Sequence, residues 1–241
     1  MPETPQFTLE QLTGRVRDHL TELSDPRCAF HKEVVAPFLA MRAAAAADGL
    51  DLVAISSFRD FARQLAIWNA KFRGERPMQD RLGRPLDPLA LSPADRVAAI
   101  LWWSALPGAS RHHWGTDFDV MDGNAMPPGY KLQLIPAEYL HGGPFHRLTT
   151  WLDLHMHAFG FFRPYTTDRG GVMPEPWHLS YAPVALRAQQ SLSVERLREV
   201  LASTEIEGKD AVLEALPRHF ARYVQDVDTP PQAARFSPRL S

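Results

Sequence analysis

Ser110-Arg111-His112-His113-Trp114-Gly115-Thr116-Asp117-Phe118-Asp119 is the stretch around which the rest of the chain is organised. Glu175-Pro176-Trp177-His178 answers it from far downstream. Together the two stretches offer two imidazoles and a carboxylate as ligands, with another carboxylate to spare. A catalytic zinc site needs such a set: three protein ligands, an open position for water, and an acid that moves protons. His112 and Asp119 stand seven positions apart with Gly115 between them. A helix does not aim both at one ion across that glycine, whereas a loop feeding a strand does. Strand alternation puts Asp117 and Asp119 on the same face, so spacing alone leaves either as the ligand.

The pattern Ser110-x-His112-x-x-Gly115-x-x-x-Asp119, with Glu175-x-x-His178 downstream, resembles the VanY-type D-alanyl-D-alanine carboxypeptidases. These belong to a wider group of zinc peptidases that includes lysostaphin-like enzymes and the hedgehog amino-terminal domain. The family pattern is Ser-x-His-x-x-Gly-x-Ala-x-Asp, and Asp117 stands here where Ala is usual. That register selects His112 over His113 and Asp119 over Asp117. A third match lies upstream: Ser56-Ser57-Phe58-Arg59 followed by Gln64 resembles the family's Ser-Gly-Tyr-Arg with a Gln five residues on. Ser57 replaces the usual Gly, a substitution that costs energy if the position needs positive φ. The resemblance runs from about residue 31 to 181.

The resemblance implies a fold, a cofactor and roles. The fold is α+β: a small, mainly antiparallel sheet carrying the zinc site, surrounded by helices. His112, Asp119 and His178 hold one zinc ion. Glu175 takes a proton from the attacking water and delivers it to the leaving amine. Arg59 stabilises the oxyanion or anchors substrate. Ser110 and Gln64 hydrogen-bond the peptide, and Trp177 walls the site. The expected reaction removes a terminal D-alanine from a peptidoglycan-derived stem peptide or muropeptide, of D,D or L,D type. An endopeptidase of the same family and a non-catalytic zinc-containing binding module are the alternatives.

Composition narrows the field. The chain has 241 residues, 45% of them apolar, and a formal net charge of −2, without the basic footprint of a nucleic-acid binder. A single cysteine, Cys28, excludes an internal disulfide framework and any CxxC metal site. The N-terminus lacks a basic region followed by an apolar run, and no apolar segment is long enough to span a membrane. The expected location is the cytoplasm.

Local signals divide the chain. Thr8–Leu23 reads as a first helix with Thr8 as cap, and His31–Asp48 as a second, with Pro37 forcing a kink or a later start. Asp51–Ser57 reads as a strand and Asp60–Phe72 as a helix. Residues 74–91 lack periodicity and read as a long loop, a candidate lid. Ser92-Pro93-Ala94-Asp95 starts a helix that runs to about Ala105. A strand over Thr116–Met121, a helix over Pro144–Phe159 capped by Gly160, and strands at Phe161 and Trp177–Ser180 follow. Helices are expected over 183–190, 193–203 and 208–224. The domains drawn from this are a zinc peptidase domain over 1–190, a C-terminal helical appendage over 191–226, and a flexible tail over 227–241. His155 and His157 project about 200° apart on a helix and do not share an ion. Trp102, Trp103 and Trp114 read as core, with Trp114 the one close enough to the motif to reach substrate.

Overall fold

The computed structural model describes residues 7–236. Thr8 caps a single helical turn, α1 (Leu9–Leu12), and Gln11 returns the bond as a capping box. The expected helix to Leu23 stops there. Gly14 takes φ 71°, and a Cβ on it would lie 2.5 Å from His113 Nδ1. Only glycine fits where the chain passes the histidine loop. The chain continues as a hairpin of β1 (Leu20–Ser24) and β2 (Arg27–His31). His31 thus belongs to a strand, its N–H donating to the Gly115 carbonyl at 2.8 Å. The helix α2 (Val35–Ala47) starts later than the apolar pattern implies. Pro37 then falls in its first turn, where no backbone N–H is needed.

The strand β3 (Leu52–Ser56) leads to α3 (Phe61–Phe72), whose cap Asp60 accepts from Arg63 N–H at 2.7 Å. The segment expected to be a structureless loop folds into a short hairpin, β4 (Met78–Gln79) and β5 (Pro85–Leu86). Asp80 organises its turn by accepting from the Leu82 and Arg84 N–H groups and from the Arg84 side chain. Ser92 and Pro93 start α4 (Pro93–Leu101) as read, although it ends four residues before Ala105. Beyond it come β6 (Asp117–Asp122), α5 (Pro136–Tyr139), α6 (His146–His155), β7 (Phe161–Phe162) and β8 (His178–Tyr181). Gly160 caps the turn after α6 at φ 83°.

The central sheet has the order β3-β6-β8-β7, and every pairing is antiparallel. One face of it packs Phe118 against Phe30, Phe38 and Phe161 at ring separations of 4.9, 5.4 and 5.5 Å. These rings are fully buried, and each contributes about 1.5–3 kcal/mol relative to exposure. The alternation that buries Phe118 and Val120 sends Asp117 and Asp119 to the opposite face. In register there, Ser56 and His178 both lie opposite Asp119, and Ser180 lies opposite Asp117. The aromatic face therefore fixes which side chains the other face presents.

Four α-helices follow among the described residues, α7 (Ala182–Ser191), α8 (Val194–Ala202), α9 (Lys209–Glu214) and α10 (Leu216–Phe220), and then a π-helical turn (Ala221–Gln225) and a 3-10 turn (Gln232–Ala234). Leu197, Leu201, Val212, Leu216 and Phe220 join the same apolar core as the sheet. Trp68 Nε1 on α3 donates to the Glu207 carbonyl at 3.1 Å. In the segment expected to be a flexible tail, Asp228 accepts from Thr166 N–H at 2.6 Å, and Ala234 is buried against Phe162 and Ala182. Residues 237–241 lie outside the described residues.

Candidate active site

The histidine loop is built by two segments zipped together. Arg59 N–H donates to the His112 carbonyl at 3.1 Å, and His113 Nδ1–H donates to the Arg59 carbonyl at 2.6 Å. His113 Nε2 accepts from Gly108 N–H at 3.1 Å, which leaves its ring neutral. Burial accordingly pulls His113 down to about 4. Arg111–Trp114 form one 3-10 turn, closed by Gly115 at φ 68°. A Cβ at Gly115 would stand 2.7 Å from the His31 backbone nitrogen. Only glycine passes here, and its passage hands the chain from the turn to β6.

His112 Nδ1–H donates to the Ser57 carbonyl at 3.0 Å, so the lone pair of Nε2 faces Asp119 Oδ2, 3.7 Å away. His178 Nε2 bonds Asp117 Oδ1 at 3.1 Å. Its Nδ1 lies 3.4 Å from Asp119 Oδ1 and 3.2 Å from Glu175 Oε2. One ligand atom from each of His112, Asp119 and His178 falls within 4.8 Å of the others. Zinc bonds of roughly 2.0–2.1 Å in a tetrahedron separate ligand atoms by about 3.4 Å. The 3.7 and 3.4 Å separations of Asp119 from the two imidazoles are close to that spacing, and the chemistry fits a metal ion too. Asp119 Oδ1 is buried without a hydrogen-bond partner among the described residues. Burial pulls His112 down to about 3, leaving a neutral imidazole lone pair. Burial also opposes a charge on His178, but Asp117, Asp119 and Glu175 overcome it and raise its proton affinity well above the ordinary value. That much negative charge around one point is what a cation would neutralise.

Asp117, one of the two candidates that spacing left open, stands behind His178. Arg111 Nε at 2.6 Å and Thr116 Oγ1 at 2.6 Å both donate to it. Burial works against its charge, yet Arg111 and His178 hold its carboxyl well below the usual range. A carboxylate so placed fixes the tautomer and orientation of a metal-facing imidazole.

The family model described as VanY, D-alanyl-D-alanine carboxypeptidase, matches residues 27–184. The chain belongs to the VanY family. An uncharacterized protein of Haemophilus influenzae is 38% identical over 121 residues, covering 49% of this chain and 92% of that one. A D-alanyl-D-alanine carboxypeptidase of Enterococcus faecalis is 28% identical over 146 residues, covering 58% of this chain and 44% of that one. Among solved structures, VanYB in complex with D-alanine-D-alanine superposes with a TM-score of 0.50 at 23% identity, covering 77% of this chain and 89% of that one. The α+β architecture is thus that of the VanY peptidases.

Arg59, Ser110, His112, Asp119, Glu175, Trp177 and His178 all line one cavity of about 280 Å³ in this VanY-family chain. Gln64, expected to bond the peptide, does not. It is fully buried, accepting from Arg59 Nη1 at 2.9 Å and donating to the Ala105 carbonyl at 2.8 Å and to Ser104 Oγ at 3.3 Å. Its amide is committed to holding the guanidinium, which also donates to Ser56 Oγ at 3.3 Å. Burial lowers Arg59's affinity for its proton, while Asp119 and Glu175 raise it, and a guanidinium keeps its charge throughout. Ser57 carries no strain: Leu134 is the one non-glycine at positive φ among the described residues. Trp114 is fully buried, with Nε1 donating to the Leu12 carbonyl, and does not reach the cavity.

Several cavity residues lie outside the sequence motifs. Trp103, taken for core, lines it. Tyr165 does too, its ring 5.2 Å from that of His178 and its phenol pushed up to about 12 by burial. Tyr223 and Val224 bring the C-terminal segment to the wall, and Lys71 comes from α3. Only Lys71 leaves a sequence signal. It follows Gln64 by seven positions and Trp68 by three, which puts it on the buried face of the helix.

Proposed function

We propose that this chain is a zinc-dependent carboxypeptidase that removes a terminal D-alanine from peptidoglycan stem peptides. The observation that carries the reading is the convergence of His112, Asp119 and His178 on one point, with Glu175 3.2 Å from His178 at the edge of the cavity. Zinc at that point supplies Lewis acidity, which lowers the pKa of water from about 15.7 to about 7. Glu175 accepts the proton of the attacking water and returns it to the leaving amine nitrogen. Arg59, held by Gln64 and Ser56, faces the negative charge that develops on the scissile carbonyl oxygen. The Ser110 hydroxyl makes no hydrogen bond to a described residue and is free to bond the peptide. Trp177 is packed against Tyr139 at 5.5 Å and so forms a rigid wall.

The test is a digest of purified pentapeptide and tetrapeptide muropeptides, read by mass, for the wild type and Glu175→Gln. The wild type should remove one alanine. Loss from the pentapeptide marks D,D action, and loss from the tetrapeptide marks L,D action. Glu175→Gln should be slower by about 10²–10⁴-fold. Intact substrates with the wild type, or full activity in Glu175→Gln, would contradict the reading.

A further inference from the structure

Lys71 sits in the last turn of α3, where the site cavity adjoins a second one of about 270 Å³. Lys71, Gln79, Trp103 and Gln133 line both. Most of the chain's half-buried and buried cations are committed: Arg111 to Asp117, Arg163 to Asp153, Arg96 to two carbonyls. Arg59 itself is held by Gln64 and Ser56. Lys71 makes no hydrogen bond or ion pair with any described residue. Burial, with Arg76 adding to it, pulls its ammonium down to about 8, against the opposing field of Glu175. A surface lysine on a helix extends its ammonium to water. This one lies on the same helix face as buried Gln64, Trp68 and Phe72. A desolvated cation without a bonded partner is costly, and it is relieved by an anion arriving in the cleft.

We propose that Lys71 binds the terminal carboxylate of the peptide and makes the site read a chain end in preference to an internal bond. The proposal rests on the carboxypeptidase reading above. In a peptide cut one residue from its end, a single Cα separates the leaving nitrogen from the terminal carboxylate. Glu175 serves that nitrogen, and Lys71 lies within the electrostatic reach of both Glu175 and Arg59. Gln79 and Gln133, beside Lys71 in both cavities, offer neutral donors for the second carboxylate oxygen. A peptide continuing past the scissile bond would present a neutral amide instead and leave the ammonium unpaired, which is a strong form of discrimination.

The experiment compares diacetyl-L-lysyl-D-alanyl-D-alanine with its C-terminal amide, on zinc-loaded wild type, Lys71→Met and Lys71→Arg. Alanine or alaninamide release gives turnover, calorimetry gives binding, and zinc content and circular dichroism check that the variants are intact. The wild type should favour the acid over the amide. Lys71→Met should lose roughly 50-fold in kcat/KM and affinity for the acid with little change for the amide, and Lys71→Arg should recover part of the loss. If the wild type cleaves neither peptide, the carboxypeptidase reading fails, and binding still decides the Lys71 proposal. A preference for the acid that disappears in Lys71→Met supports it. Equal binding of acid and amide, no binding of either, or a preference that survives in Lys71→Met overturns it.

Discussion

At the scale of residues, the site depends on carboxylates that are close in sequence but differ in what they face. Asp119 faces the point where the ligand atoms meet, whereas Asp117 backs the ring of His178. Asp117→Asn keeps the shape of that contact and removes its charge. It should weaken zinc binding about 10–100-fold, as measured by competition with a chromophoric chelator. Histidines outside the cluster of His112, Asp119 and His178 report on stability instead. Burial pulls His31 from an ordinary 6.5 down to about 4, against a smaller opposing effect of Glu33, and His113 is depressed to about 4 as well. Between these values the unfolded chain binds protons that the folded chain does not, so stability falls as pH falls. The contribution is fully present above pH 6.5 and is lost as pH drops towards about 4. For His31 the loss is at most about 3 kcal/mol, and urea titrations across this window should show a shallower slope for His31→Asn.

At the scale of elements, one glycine decides whether the turn and strand of the site can join. Gly115→Ala would force a Cβ against the His31 backbone at positive φ. It should destabilise the chain by at least about 2 kcal/mol in urea unfolding, beyond what an exposed Gly-to-Ala change does. That turn was legible in sequence, as were the Ser92-Pro93 helix start and the Gly160 cap, because each follows from the chemistry of neighbouring residues. The β1–β2 hairpin was not. Residues 8–23 carry helical composition, but α1 ends at Leu12, and Gly14 turns at positive φ against the ring of His113, far away in sequence. The cluster of His112, Asp119 and His178 was readable because its members sit in two short motifs. Trp103, Tyr165 and Tyr223 reach the cavity from separate elements, and no spacing relates them. Gln64 shows the reverse case: its motif position was clear, but its orientation towards Arg59 follows from the packing of α3 against Ser104 and Ala105.

At the scale of the whole molecule, the site and the C-terminal helices share one core. Leu201, Val212 and Leu216 are fully buried in the cluster that holds Phe118, and no described helix is long and apolar enough to cross a membrane. Heat should therefore unfold the chain in a single transition by both circular dichroism and tryptophan fluorescence. A chain cut after Gln190 should lose that cooperative transition altogether. If His112, Asp119 and His178 make one zinc site that the peptidase reaction requires, titrating zinc into the chelator-stripped protein restores activity in step with occupancy. Alanine release from a peptide ending in D-alanyl-D-alanine should be absent at the start, rise in proportion to added zinc, and level off at one equivalent per chain. Release by the stripped protein, or zinc taken up to one equivalent without release, would contradict that requirement.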